Sequence, residues 1–168
     1  MSLWAYFTNK MEPEMVAFLE KSFPSIRIYD PSIYTISSQE DQWTGGVMNS
    51  DFGTMPTDFF LISSTFFAAF GPSVGAVQNA YVSVTQAVYS SVTNTSKAVF
   101  NNNYFLNTLW SASFNSLNNF KYQFKPYNPI LILKDRYITQ EISGTVSGGG
   151  AADVRFFTNM EILPVQRR

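Results

Sequence analysis

The stretch AYVSVTQAVYSSV, residues 80–92, decides whether this chain folds as all-β or as a mixture of helix and strand. Val82 and Val84 alternate there with polar or aromatic residues, which is the two-residue period of a strand. A helix over residues 76–92 competes, because several of the aliphatic residues also fit helical spacing. The β-branched content and the lack of charge favour the strand.

Similar patterns recur on both sides of this stretch. SIRIYD and SIYTIS alternate and are separated by the turn signal Asp30-Pro31. Further strands are predicted at residues 58–70, 104–114, 119–124, 130–133, 137–146 and 154–165, the last followed by a basic tail at Arg167 and Arg168. Short strands separated by frequent turn signals are typical of a sandwich or a closed barrel. The sequence therefore predicts an all-β fold, a single jelly roll or β-sandwich barrel of about eight strands.

The N-terminal part is predicted to differ from the rest. Residues 1–24 read as an arm and a short helix, EPEMVAFLEKSF, with Pro13 suited to its first turn and Pro24 ending it. This helix either packs on its own subunit or docks on a neighbouring one. Residues 39–57 are polar and contain glycine, so they are predicted to form a long loop. The whole chain, residues 1–168, is predicted to be one β-barrel domain.

One long segment avoids charge. Between Phe59 and Phe120 the only charged residue is Lys97, whereas about one residue in four is charged in an ordinary soluble domain. A surface of this composition is usually covered by another subunit, a repeating lattice or a lipid face. The predicted interface residues, each serving either the core or an interface, are Phe66, Phe67, Phe70, Tyr104, Phe105 and Trp110.

The composition argues against most catalytic chemistry. The chain has no cysteine and no histidine, and its net charge is −1. Thiolate nucleophiles, Ser-His-Asp triads and the commonest metal ligands are thereby excluded, and no basic footprint for nucleic acid exists. We expect no enzyme activity, no cofactor and no metal. A candidate cation or ligand loop, which is also the only option for a carboxylate-dependent hydrolase, is formed by Glu40, Asp41, Asp51 and Asp58.

The sequence contains no pattern typical of a signal peptide or of a membrane-spanning helix. MSLWAYFTNK lacks the basic n-region and the apolar length of a signal peptide. The longest apolar run, residues 59–70, is too short to cross a bilayer as a helix, which takes about 20 residues. No signal peptide and no transmembrane segment are predicted.

The order of these elements, from the helix EPEMVAFLEKSF to the final strand ADVRFFTNMEILPV, resembles a known family. It is similar to the small single-jelly-roll major capsid proteins of tail-less icosahedral bacteriophages and archaeal viruses with an internal membrane. The resemblance implies a virion location and an upright barrel of two four-stranded sheets. It also implies self-association, a second capsid protein as partner and contact with the internal membrane. The Asn-rich composition departs from what a hyperthermophilic host would favour.

Two functions stay open at this point. The first is a viral capsid subunit that self-assembles through uncharged aromatic and Ser/Thr/Asn-rich surfaces. The second is a carbohydrate- or receptor-binding β-sandwich of the phage spike or tail type. The two differ in what they predict for the surface. A shell subunit has broad flat patches, whereas a binding module has exposed aromatic residues rimmed by Asp, Asn and Gln.

Overall fold

The structure is a computed structural model that describes residues 2–50, 52–71, 79–89, 107–115, 117–147 and 154–168. The helix α1 covers Pro13–Ser22. The strands are β1 (Ser2–Lys10), β2 (Ile26–Arg27), β3 (Ser32–Trp43), β4 (Gly46–Asn49), β5 (Gly53–Thr54), β6 (Asp58–Phe70), β7 (Asn79–Tyr89), β8 (Asn107–Asn115), β9 (Phe120–Phe124), β10 (Ile130–Ile132), β11 (Tyr137–Ser147) and β12 (Val154–Arg167). The all-β prediction is confirmed, and the disputed stretch is a strand as far as Tyr89.

The strands form two antiparallel sheets. The first sheet has the order β1-β3-β12-β6-β10, with β9 also paired to β6 and β2 to β12. The second sheet has the order β4-β11-β7-β8, with β5 also paired to β11. Because β9 and β10 pair with successive parts of β6, they act as one interrupted strand, and β4 and β5 do the same along β11.

This strand order is that of a jelly roll. If the two interrupted strands are each counted once, β3 to β12 supply eight positions along the chain, in addition to the short β2. Positions one, eight, three and six then form the first sheet, and positions two, seven, four and five form the second. Two sheets interleaved in this way are the double Greek key of the jelly roll. The predicted jelly-roll sandwich is therefore confirmed, and β1 adds a further strand beside β3.

The core has three parts, of which two lie between the sheets. One apolar cluster contains Phe59 and Ile138, and the other contains Phe66 and Phe156. The third lies on the opposite face of the first sheet, where α1 seats Leu19 in a cluster with residues of β6, β10 and β12. Since both faces of β6 are covered at this end, its first four residues are all buried, in place of the alternation of a half-exposed strand.

Two predictions about the N-terminal third need correction. The arm preceding the helix is strand β1, which pairs with β3 from Ser2 to Lys10. Residues 39–57, predicted as a long loop, contain the end of β3 together with β4 and β5. Buried apolar side chains anchor this polar segment at Trp43, Phe52 and Met55. Such isolated anchors between polar residues produce no periodic pattern, so the short strands were not predicted.

Candidate functional surfaces

The outer face of the second sheet is broad and carries little charge. Along β7 and β11, buried residues such as Val84 and Ile142 alternate with residues that point away from the core. We call the outward set the second-sheet face; it comprises Val47, Asn49, Tyr81, Ser83, Thr85, Ser111, Ser113, Thr139, Glu141, Ser143 and Thr145. Among the described side chains of this face, Glu141 is the single charged one.

The strand register arranges the hydroxyl groups of this face in rows. Ser83 lies opposite Ser143 on one side and opposite Ser111 on the other. In the neighbouring row, Tyr81 lies opposite Thr145 of β11 and opposite Ser113 of β8. Tyr81 is 46% exposed. Hydroxyl groups both donate and accept hydrogen bonds. This face can therefore bond to another protein surface without removing the hydration of an ion.

The interface residues predicted from the sequence are placed in different environments. Phe66 is completely buried and packs against Phe156 with ring centroids 5.4 Å apart, so it serves the subunit's own core. Phe67 and Phe70 are partly buried, and Phe70 lies 5.3 Å from Phe114 between ring centroids. Trp110 is on β8 opposite Val84. The remaining two candidates, Tyr104 and Phe105, lie outside the described residues.

The three acidic candidates among the described residues belong to two different strands. Glu40 and Asp41 belong to β3, and Asp51 lies outside the described residues. Asp58 is the first residue of β6, and both oxygens of its carboxylate accept hydrogen bonds. Its Oδ2 accepts a hydrogen bond from Arg167 Nε at 2.8 Å, and its Oδ1 accepts one from the Lys134 backbone N–H at 2.9 Å. In the described part of the chain, no three acidic side chains cluster in a way that could hold a metal ion.

The ion pair of Asp58 also places the basic residues at the end of β12. Burial by itself raises the pKa of the Asp58 carboxyl. The hydrogen bonds from Arg167 and Lys134, together with their positive charges, outweigh burial and hold this pKa below its ordinary value. Arg167 is the last residue of β12, and the backbone N–H of Arg168 bonds to the Ser25 carbonyl at 2.8 Å. The C-terminal residues are thus fixed against the first sheet.

A buried chain of hydrogen bonds crosses the middle of the sandwich. The Ser64 hydroxyl donates to Gln86 Oε1 at 2.9 Å, and Gln86 Nε2 donates to Gln140 Oε1 at 2.7 Å. Gln140 Nε2 then donates to the Thr158 hydroxyl at 2.9 Å. All four side chains are at most 1% exposed. We call these four hydrogen-bonded side chains the polar seam; they separate the two apolar clusters between the sheets.

The polar seam was not predicted, although the sequence contains a signal for it. Gln86 and Gln140 each occupy a position in the inward-facing series of an alternating strand, where an aliphatic residue is expected. A buried amide requires partners. Two such exceptions in one sandwich therefore indicate that the two side chains bond to each other.

Taken together, the observed features define the chain as a two-sheet antiparallel jelly roll with a helix on its first sheet. No protein-family model and no curated protein matches the sequence. Among solved structures, it is similar to a chain of Desmodium yellow mottle tymovirus at 7% identity and a TM-score of 0.35, with 80% of this chain and 89% of that chain covered. At that TM-score the likeness carries no argument, so the fold assignment rests on the strand order. Within the described residues, no helix combines the length and apolarity needed to cross a bilayer.

Proposed function

We propose that this protein is a subunit of a viral shell and that copies of it associate through the second-sheet face. The observation that carries the proposal is the composition of that face, which has Ser, Thr, Asn, Tyr and Val side chains and one described charge at Glu141. Protein interfaces are depleted of charge at their centres and enriched in tyrosine. Burying an unpaired ion costs several kcal/mol, whereas paired hydroxyl groups avoid that cost.

The size of the face suits this role. Strands β7 and β11 each have 11 residues, which corresponds to about 35 Å at the usual rise of a strand. Four strands spaced about 4.8 Å apart give a width of about 19 Å, and hence an area of roughly 600–700 Å². A specific interface buries about 800 Å² on each partner. The second-sheet face alone therefore supplies most of one such interface.

The jelly-roll topology is compatible with a shell but does not select it. Viral capsid proteins, lectin domains and cupins all use this fold, and a fold does not by itself define a function. What favours the shell is the combination of this topology with a broad, nearly uncharged sheet face. A second capsid protein and contact with an internal membrane stay predictions of the family resemblance.

The proposal is tested by placing a charge on the face. Tyr81→Asp puts a carboxylate between Thr145 and Ser113 at a half-exposed position, so we expect the subunit to fold. Self-association should weaken by about 100-fold or more, because the new charge would be buried without a partner. The matched control is Tyr127→Asp, since Tyr127 is 99% exposed and lies outside the face.

The measurement is the solution mass by light scattering over a wide concentration range. We expect the wild type and Tyr127→Asp to form larger species as the concentration rises, and Tyr81→Asp to stay monomeric over the same range. A wild type that is monomeric at every concentration would contradict the proposal. So would equal assembly of the two variants, since the face would then not be the contact.

A further inference from the structure

A cleft on the first sheet, away from the second-sheet face, has the features of a ligand site. Two cavities of about 320 Å³ and about 260 Å³ lie beside the end of β12. They share Thr57, Val165 and Gln166 in their walls, so the two cavities are neighbours along the end of β12. Small-molecule sites in proteins have volumes of about 300–1,000 Å³.

Two tyrosine rings line the larger cavity. Tyr29 is 70% exposed, and the Arg27 guanidinium approaches its ring to 5.8 Å from the centroid. Arg27 is in turn directed by Glu20, whose Oε1 lies 3.7 Å from its Nε. Tyr34 is partly buried and makes an edge contact with another aromatic ring. The cleft thus offers an aromatic surface that is held in place while most of the Tyr29 side chain stays accessible.

Polar groups surround these rings. Asp30 Oδ1 accepts hydrogen bonds from the hydroxyl of Ser32 at 2.6 Å and from its backbone N–H at 3.1 Å, which fix the carboxylate in place. The hydroxyl bond is the main reason why the pKa of Asp30 lies below its ordinary value, so this group is anionic at neutral pH. Gln166 also lines this cavity and is the direct neighbour of Arg27 in the antiparallel pairing of β12 with β2. One wall therefore combines a carboxylate, an amide and a guanidinium.

We propose that this cleft, which we call the Tyr29 cleft, binds a neutral saccharide. A sugar ring has an apolar C–H face that can lie on an exposed tyrosine ring, and its hydroxyl groups are ligands for carboxylate and amide groups. The proposed site is the larger cavity, where the charges of Arg27 and Asp30 balance, so the site has no net attraction for an anionic ligand. The proposal is independent of the shell assignment, since it uses other residues and the other sheet.

The first experiment uses a glycan array of neutral and acidic oligosaccharides with the wild-type protein. The best neutral oligosaccharide is then titrated into wild type, Tyr29→Ala and Gln166→Ala, and followed by NMR. We expect Tyr29→Ala to weaken binding by about tenfold or more, through loss of the aromatic surface. Tyr29→Phe should bind within about threefold of the wild type, since its ring remains.

Tyr127→Ala is the matched control, because it removes another exposed tyrosine that does not line the cleft. It should bind like the wild type. Both altered cleft positions are exposed, so circular dichroism should show unchanged folding, and Gln166→Ala provides a second independent test. An array without any neutral hit, or a hit whose affinity is unaffected by Tyr29→Ala and Gln166→Ala, would overturn the proposal. Binding restricted to acidic glycans would overturn it as well.

Discussion

Replacing Gln140 by leucine tests whether the polar seam stabilises the sandwich. Leucine has a similar volume, so the change removes an amide without creating a large cavity. Gln86 Nε2 then loses its acceptor, which lies at 2.7 Å, and the Thr158 hydroxyl loses a donor at 2.9 Å. Both groups are almost completely buried, so water cannot replace the lost partner without opening the core.

The size of the effect follows from these two lost partners. A buried polar group left without a hydrogen bond costs about 1–3 kcal/mol. Part of this cost is offset by the apolar surface that leucine buries. We therefore expect Gln140→Leu to lower the free energy of unfolding by about 2–4 kcal/mol. For a chain of this length, the melting temperature should fall by about 5–15 °C.

The assay is urea unfolding, followed by circular dichroism, at a protein concentration where light scattering shows one species. Gln86→Leu/Gln140→Leu provides the decisive comparison, because it removes both amides together. The double variant should be more stable than the sum of the single effects predicts, by about 1–2 kcal/mol. A Gln140→Leu protein within about 0.5 kcal/mol of the wild type, or strictly additive effects, would refute this account of the seam.

Two further predictions concern other fixed points of the fold. Asp58→Asn should lower the free energy of unfolding by about 1–2 kcal/mol at pH 7. Because the Asp58 pKa is depressed in the folded state, its contribution is present above the ordinary value of 3.8 and is lost as the pH falls through the folded-state pKa. The unfolding curves of the two proteins should thus converge in acid, and a constant difference down to pH 2 would contradict the assignment. Gly144→Ala should cost about 2–5 kcal/mol, since φ is +149° and a Cβ would collide with the Tyr81 backbone carbonyl. Gly53→Ala is the control, because Gly53 has a φ of +73° but no atom lies within 4 Å of the added Cβ. It should lower the free energy of unfolding by only about 1–2 kcal/mol. Equal losses of stability in thermal melts of the two variants would rule out the collision.

The sequence predicts those parts of the fold that have local periodic signals. The strand within residues 80–92 alternates because one of its sides is buried, and α1 has a proline in its first turn and an apolar side. The interrupted strand formed by β9 and β10 was also predicted as two pieces, on either side of Pro126 and Pro129. In each case the property that determines the structure lies within a dozen neighbouring residues.

The features that were missed depend on pairs that are distant in the sequence. Asp58 and Arg167 are 109 residues apart, and Gln86 and Gln140 are 54 apart. Their contacts exist only because the jelly-roll topology brings β6 beside β12 and β7 beside β11. The edge strand β1 is a different case. Ala5 and Phe7 alternate there with Tyr6 and Thr8, but this pattern is too short to distinguish a strand from an extended arm.

The lack of charge between Phe59 and Phe120 has different causes in different strands. Strand β6 lies between β12 and the β9–β10 strand, with its first residues covered on both faces, so burial inside the subunit accounts for much of its lack of charge. Strand β7 is different. Its inward residues fill the core, yet Tyr81, Ser83 and Thr85 point outward, where an isolated protein normally carries ionic groups. Folding of one subunit therefore does not explain why these outward positions lack charge, and this is the observation behind the proposal that a second copy covers the second-sheet face.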